Sequence, residues 1–230
     1  MLHARVMRKR IERPGVRDGY DRWAETYDTT ANPVVALDRR HALAALGPRP
    51  DEWILDAGCG TGVHLRGMRA AGSRPVGMDF SRGMLGVAKR ADPNALLVQG
   101  DLNREFPIRR RAFDAVVSSL VSEHLLDLRT FFTEAFAVLR PGGRFVFSAF
   151  HPDPAREGIE ANFSDGTTEY RLGAEPYTTE DYLDRMVGAG FTIDAIHEHG
   201  VDDEITTDVP ESSKHAGHSL LLLVSASRAA

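Results

Sequence analysis

From Trp53 onward, short apolar runs alternate with amphipathic stretches, the rhythm of helices crossing over a parallel sheet. Strands are predicted at Trp53–Asp56, Pro75–Asp79, Ala95–Gln99, Asp114–Ser118 and Arg144–Ala149, each ending near a polar or small residue. Between them the pattern predicts helices over Val63–Ala71, Gly83–Ala91 and Arg129–Leu139. In the last, Phe131, Phe132, Ala135, Phe136 and Leu139 form an apolar stripe that reads as core. Pro141-Gly142-Gly143 ends that helix and turns the chain into the next strand. Upstream, Tyr20, Trp23, Ala24 and Tyr27 share one face at helical spacing within Gly19–Tyr27, and a second helix over Val34–Leu46 stops at Gly47-Pro48. Downstream, residues 151–177 show little periodicity and read either as a lid or substrate wall or as a surface loop. A helix over Thr179–Ala189 ends at Gly190, and the runs Phe191–Glu198 and Ser219–Ser225 are expected to pair antiparallel. The sum is an α/β domain with a seven-stranded, mostly parallel sheet, helices on both faces and an antiparallel last strand.

At 230 residues and 42% hydrophobic, the chain can bury one sizeable core. The expected layout is a basic tail at 1–18 and a single domain at 19–230, with N-terminal helices at 19–47, a ligand-binding core at 52–150 and the lid or substrate segment at 151–177. The longest apolar run, Leu220 to Val224, is far short of the roughly 20 residues that cross a bilayer. No membrane span and a cytoplasmic location are expected. The single cysteine, Cys59, excludes an internal disulfide framework, a Cys-rich zinc site and three-cysteine iron–sulfur ligation. A net charge of −5 lacks the basic balance of a protein that neutralises phosphate backbones, so no nucleic-acid partner is expected. A small-molecule substrate and a monomer or homodimer are. Arg5, Arg8, Lys9, Arg10, Arg13 and Arg17 form a local exception that reads as a solvated tail or, alternatively, as an anion-attracting one.

The first predicted strand runs into Gly58-Cys59-Gly60-Thr61-Gly62, with a helix from Val63. Glycines there let the backbone approach a ligand and reach positive φ. Cys59 reads as a small apolar filler of this loop. In open parallel sheets ligands bind beyond the carboxyl ends of the strands, at the switch point. A dinucleotide loop has the form Gly-x-Gly-x-x-Gly, but counting from Gly58 and Gly60 puts Val63 at the third glycine. The spacing here is Gly-x-Gly-x-Gly, preceded by Asp56. A carboxylate at the strand end opposes a pyrophosphate and attracts an ammonium or sulfonium, and S-adenosyl-L-methionine carries both. Charge sign therefore favours that cofactor over NAD.

Asp79 ends the next strand, where an acid can accept from both ribose hydroxyls; this spacing is shared with NAD enzymes. Asp101, in Gly100-Asp101-Leu102, follows the third strand and can accept the adenine amino group, with Leu102 on one side of the ring and Phe80 on the other. Each acid would also serve as a helix cap or turn residue. Three acids after three successive strands favour a site.

Taken in order, Leu55-Asp56-Ala57-Gly58-Cys59-Gly60-Thr61-Gly62, Asp79, Gly100-Asp101, Phe113-Asp114-Ala115-Val116 and Leu139-Arg140-Pro141-Gly142-Gly143 resemble the class I S-adenosylmethionine-dependent methyltransferases. The similarity is to the small-molecule branch that includes ubiquinone and menaquinone biosynthetic enzymes, and it covers roughly residues 15 to 150. It implies a Rossmann-like fold, with Asp56, Gly58, Gly60 and Gly62 at the methionine end, Asp79 on the ribose, Asp101 and Leu102 on adenine, and Ser118 and Ser119 beside the sulfonium. Tyr20-x-x-Trp23-Ala24-x-x-Tyr27-Asp28 resembles the family's leading helix, whose tyrosines close over the methionine carboxylate; core packing of Tyr20 and Tyr27 is the other reading. Beyond Phe150 the resemblance weakens and identifies no substrate.

Methyl transfer from a sulfonium is an in-line displacement that needs alignment, close approach and exclusion of water, so a dedicated catalytic residue is not obligatory. For a hydroxyl, phenol or protonated amine a general base would help. His124, following Glu123 in a possible carboxylate–histidine dyad, and His151, just beyond the fifth strand, are the catalytic candidates. His215 and His218 read as loop histidines, and no metal is expected. The resulting reading is methyl transfer to an O, N or C atom of a small molecule. A cofactor-binding partner or regulatory protein without transfer activity is the alternative.

Overall fold

The computed structural model describes residues 10–156 and 160–230; Arg5, Arg8 and Lys9 of the basic tail lie outside the described residues. In chain order the elements are β1 (Arg10–Glu12), α1 (Val16–Trp23), α2 (Pro33–Leu46), β2 (Trp53–Ala57), α3 (Val63–Ala70), β3 (Arg74–Asp79), α4 (Arg82–Ala91) and β4 (Leu96–Gln99). Then come β5 (Phe113–Ser119), α5 (Leu128–Val138), β6 (Leu139–Phe150), α6 (Pro152–Arg156), β7 (Asn162–Ser164), β8 (Thr168–Arg171), α7 (Thr179–Ala189), β9 (Thr192–Gly200), α8 (Asp203–Asp208) and β10 (Ser219–Ser227).

The main sheet has seven strands in the order β4-β3-β2-β5-β6-β10-β9. Its neighbours are parallel except at β10, which runs antiparallel to both β6 and β9. The last strand is thus the antiparallel one, as the pattern predicts, and it inserts beside β6. Successive residues point to opposite faces of a strand, and here both faces are buried. Leu55, Val116, Phe145, Phe147, Leu222 and Val224 pack with α5 and α7. Ile54, Ala115, Val117, Val146 and Leu223 pack with α2 and α3. The α5 phenylalanines Phe131 and Phe132 are fully buried. The chain leaves β2 for β3 and β4 on one side and returns to β5 on the other, so the crevice beyond the ends of β2 and β5 is the switch point.

Helix ends follow local chemistry. Asn32 accepts from the Val34 and Val35 amides ahead of Pro33, and Gly47 closes α2 in the left-handed region. Thr178 and Asp181 form a reciprocal capping box on α7, which Gly190 ends.

Three sequence expectations need correction. The first helix begins at Val16 and ends at Trp23; Tyr27–Thr29 is a separate 3-10 turn. Residues 10–18 are not a free tail, because β1 pairs with β8, Arg13 makes two hydrogen bonds to Glu160 (2.8 and 2.7 Å) and the Arg17 guanidinium lies 5.4 Å from the Phe80 ring centroid. The segment after β6 is also more ordered than its sequence suggests. It holds the hairpin β7–β8, which joins β1 in a three-stranded sheet, β1-β8-β7. That sheet packs on α1: Phe163 stacks on Trp23 at 4.9 Å, and a Cβ on Gly19 would sit 2.2 Å from Leu172 Cδ2. On its other side α1 docks on α4, with the Asp21 carboxylate accepting from Gly83 N and Ser81 Oγ. Residues of the N-terminal helix are thereby held over the switch point.

Candidate functional site

The glycine loop leaves β2 and is tied to β3, since Gly58 N and Cys59 N both donate to the Met78 carbonyl (2.7 and 3.0 Å). Gly58 has φ 92°, and a Cβ there would meet Val121 Cγ1 at 2.3 Å. Gly60 has φ 50° with no atom within 4 Å of an added Cβ, so its open side faces the cleft. Gly62 serves as the N-cap of α3. Cys59 is buried in the core beneath the loop. Asp79 fixes the loop from β3, accepting from Gly60 N (2.9 Å) on one oxygen and from Ser81 N (2.8 Å) on the other. The Phe80 amide is a third backbone donor to it; since a carboxylate offers about four acceptor positions, capacity for a ligand donor remains.

Three cavities meet at this point, and Tyr27 and Leu120 line all of them. The first lies between Gly58, Gly60, Asp79, Phe80, Asp101 and Leu102. Asp101 holds its turn by accepting from Asn103 N (3.0 Å). Of the three acids expected after successive strands, Asp79 and Asp101 line this cavity and Asp56 lines the adjoining one.

The second cavity surrounds Asp56, with Asp38, Arg39, Thr61, His64 and Ser119 on its walls. Asp56 is 1% exposed. Burial pushes its carboxyl up to about 7, with the His64 charge pulling the other way. His64 Nε2 lies 3.2 Å from Asp38, whose other oxygen accepts from Ser148 Oγ at 2.5 Å. Burial works against the His64 cation, but the bond to Asp38 and the charges of Asp38 and Asp56 outweigh it and raise its pKa. Arg39 pairs with Asp28, which also accepts from Thr61 Oγ1. Sequence reasoning missed Asp38, Arg39 and His64. The available signal was Asp38 and Ala42, one helical turn apart on the buried face of α2.

The third cavity, of ≈ 260 Å³, opens beyond Tyr20 and Tyr27 and is walled by Trp23, Val34, Phe150 and Leu220. Glu123 lines it as well. Tyr20 and Tyr27 thus stand between this chamber and the loop cleft.

Of the two serines at the end of β5, Ser119 lines the cleft, whereas Ser118 is fully buried and donates to the Ala57 carbonyl (2.7 Å). Strand alternation explains why only one of the pair can face it. His124 lines the first cavity and shares a 3.0 Å hydrogen bond with the Tyr20 hydroxyl. Burial lowers its pKa to about 4. Glu123 and His124 do not form the expected dyad: Glu123 faces the chamber, and His124 is oriented by Tyr20. His151 is buried and lines none of the three cavities; its Nε2 lies 3.3 Å from Glu198 in a further depression with His218, which shares His215 with the third cavity. Among the described residues no cluster of three or more ligands could hold a metal. None of the described helices is long and apolar enough to cross a membrane.

Residues 55–147 match the Methyltransferase domain family. The chain is 36% identical over 163 residues to a demethylmenaquinone methyltransferase of Streptomyces avermitilis, covering 68% of this chain and 67% of that protein. It is 37% identical over 140 residues to the demethylmenaquinone methyltransferase of Beutenbergia cavernae, covering 59% of this chain and 58% of that protein. The chain thus spans little more than half the length of the second relative. A solved S-adenosylmethionine-dependent methyltransferase from Mesorhizobium loti has the same fold, with a TM-score of 0.73 at 25% identity over 86% of this chain and 100% of that one.

Proposed function

The chain belongs to the class I S-adenosylmethionine-dependent methyltransferases, and from that premise we propose that it transfers a methyl group to an O, N or C atom of a small molecule held in the chamber beyond Tyr20 and Tyr27. The observation that carries this reading is the junction at Tyr27 and Leu120, where a cleft suited to the cofactor meets a chamber of its own. A protein that only bound the cofactor would have no use for that chamber.

The residues fit the cofactor. Asp56 is a buried acid whose charge a cationic head would restore, while Arg39 supplies positive charge for a carboxylate at the same end. The open side of Gly60 admits a close approach, Asp79 retains acceptor capacity for a ribose hydroxyl, and Phe80 and Leu102 offer apolar faces to a purine. When bound, the cofactor supplies an electrophilic methyl carbon on a sulfonium. The protein's part is alignment and dryness. Tyr20 and Tyr27 cover the junction, and burial raises the pKa of both phenols, keeping them neutral.

Calorimetry with S-adenosylmethionine, followed by methyl transfer to a broad acceptor panel, tests the proposal. Binding with turnover is expected. A folded protein that does not bind the cofactor overturns it.

A further inference from the structure

Glu123 sits in the 3-10 turn Ser122–His124 after β5 and is one of the walls of the acceptor chamber. Its Oε2 is buried and has no hydrogen-bond partner among the described residues. An unsatisfied buried carboxylate oxygen is costly unless a ligand completes it. The other carboxylate on the chamber, Glu160, is already taken by Arg13 and by Gly173 N. Around Glu123 the chamber presents the rings of Trp23, Tyr27 and Phe150 alongside polar groups from Thr30, Asn32 and His215.

Resting on the methyltransferase reading, we propose that Glu123 takes the proton from the reacting hydroxyl or amine of the acceptor, and that the chamber fits a ring-bearing body carrying that donor. In the step, the heteroatom's lone pair forms the bond to the methyl carbon. The carbon–sulfur bond breaks with its electron pair going to sulfur, and the X–H proton passes to the carboxylate of Glu123, a partly exposed residue, and from there to water. The products are the methylated acceptor, S-adenosylhomocysteine and one proton.

The groups around Glu123 agree with this role. Tyr20, Tyr27 and Tyr182 face it from α1, the turn after α1, and α7; burial first, and the Glu123 charge to a lesser extent, raises the pKa of each, so they stay neutral. Across the chamber, burial lowers the His215 pKa, and Arg13 holds Glu160 as the anion. Burial pushes the Glu123 carboxyl up to about 7, with its own backbone amide opposing. A base tuned near the working pH is the efficient kind. His124, lowered to about 4 and bonded to Tyr20, is by comparison a weak base and a positioning residue for that tyrosine.

The test uses three probes on the full chain: 2-naphthol, naphthalen-2-ylmethylamine and 2-methoxynaphthalene, which keeps the ring and lacks the donor. With S-adenosylhomocysteine present, at least one of the first two is expected to bind wild type about tenfold tighter than the methoxy compound, a preference lost in Glu123→Gln. With S-adenosylmethionine, methyl transfer to the preferred probe is expected to fall at least about 100-fold in Glu123→Gln, and its rising pH limb at or below about 7 to disappear. Glu123→Asp is expected to restore part of the rate and the limb. Cofactor affinity of Glu123→Gln, measured by calorimetry, is expected to match wild type, which also reports that the variant is folded. Failure of wild type to bind cofactor overturns the methyltransferase reading. Cofactor binding with equal affinity for all three probes, binding of none, or an unchanged rate and pH limb in Glu123→Gln overturns the role of Glu123 alone.

Discussion

The cofactor cleft and the acceptor chamber share Tyr27 and Leu120 but are built in opposite ways. The cleft comes from consecutive strand–turn units: β2 with Gly58 and Gly60, β3 with Asp79, and the turn after β4 with Asp101. The chamber is assembled from distant pieces, such as Trp23 against Phe163 and Arg13 against Glu160, 147 residues away. A site written into backbone turns accepts few changes of ligand. A wall made of side chains on a small added sheet can be rebuilt without disturbing the cleft, which suits a common cofactor and a variable acceptor.

The contrast is sharpest at two glycines. Gly58→Ala forces a Cβ to within 2.3 Å of Val121 at φ 92°. It is expected to weaken S-adenosylmethionine binding by roughly 30- to 150-fold, given strain of ~2–3 kcal/mol in the loop itself. Gly166→Ala, in the β7–β8 turn at φ 97° with nothing within 4 Å, is expected to cost ~1–2 kcal/mol of stability and leave that affinity unchanged. Calorimetry and urea unfolding on both variants check this; equal effects on cofactor binding would erase the distinction.

Next in size, Asp79→Ala removes the acceptor of Gly60 N and Ser81 N and is expected to weaken the cofactor by ~1–3 kcal/mol, or roughly 5- to 150-fold. Unchanged affinity would place the ribose elsewhere.

Proton linkage gives a third, smaller effect. In the ligand-free protein Asp56 keeps its proton up to about 7, well above the ordinary carboxylate range near 4. A bound cation favours the anion, so binding at pH 6 should release up to about one proton. Affinity should rise with pH from 5 to 7 and then level off. Folding carries the opposite sign: a native state that holds a proton the unfolded chain has lost becomes less stable as pH rises from about 4 to 7. Calorimetry in buffers of different ionisation enthalpy reads the released proton, and Asp56→Asn should flatten the profile. Proton uptake instead of release would contradict the placement of the cation beside Asp56.

The smallest effect on the cofactor is expected from Phe163→Ala, which removes the stack on Trp23. Stability should fall by ~3 kcal/mol or somewhat more, with cofactor affinity within about twofold of wild type. A large loss of affinity would show that the two regions are not separable.

The same division explains what could be read in the chain. The seven-stranded sheet, its one antiparallel strand, the three acids and the alternate glycines were legible because apolar periodicity and strand-end chemistry are local. The strands β1, β7 and β8 have three or four residues each, too few for a two-residue alternation to stand out. Asp38 and His64 come together only when α2 crosses α3. Ser118 and Ser119 differ by a single step of strand alternation, which the motif alone does not settle. His151 follows β6 as expected, but it lies 3.3 Å from Glu198 of β9 and away from the cleft.

A crystal structure with S-adenosylhomocysteine bound would show whether the cofactor's reactive end lies at the junction of Tyr27 and Leu120 and faces the chamber. Adenine is expected between Phe80 and Leu102, the ribose on Asp79, the amino group near Asp56, and sulfur directed past Tyr27 toward Glu123. A product molecule with its adenosyl end in the chamber, or with sulfur sealed from it, would rule this arrangement out.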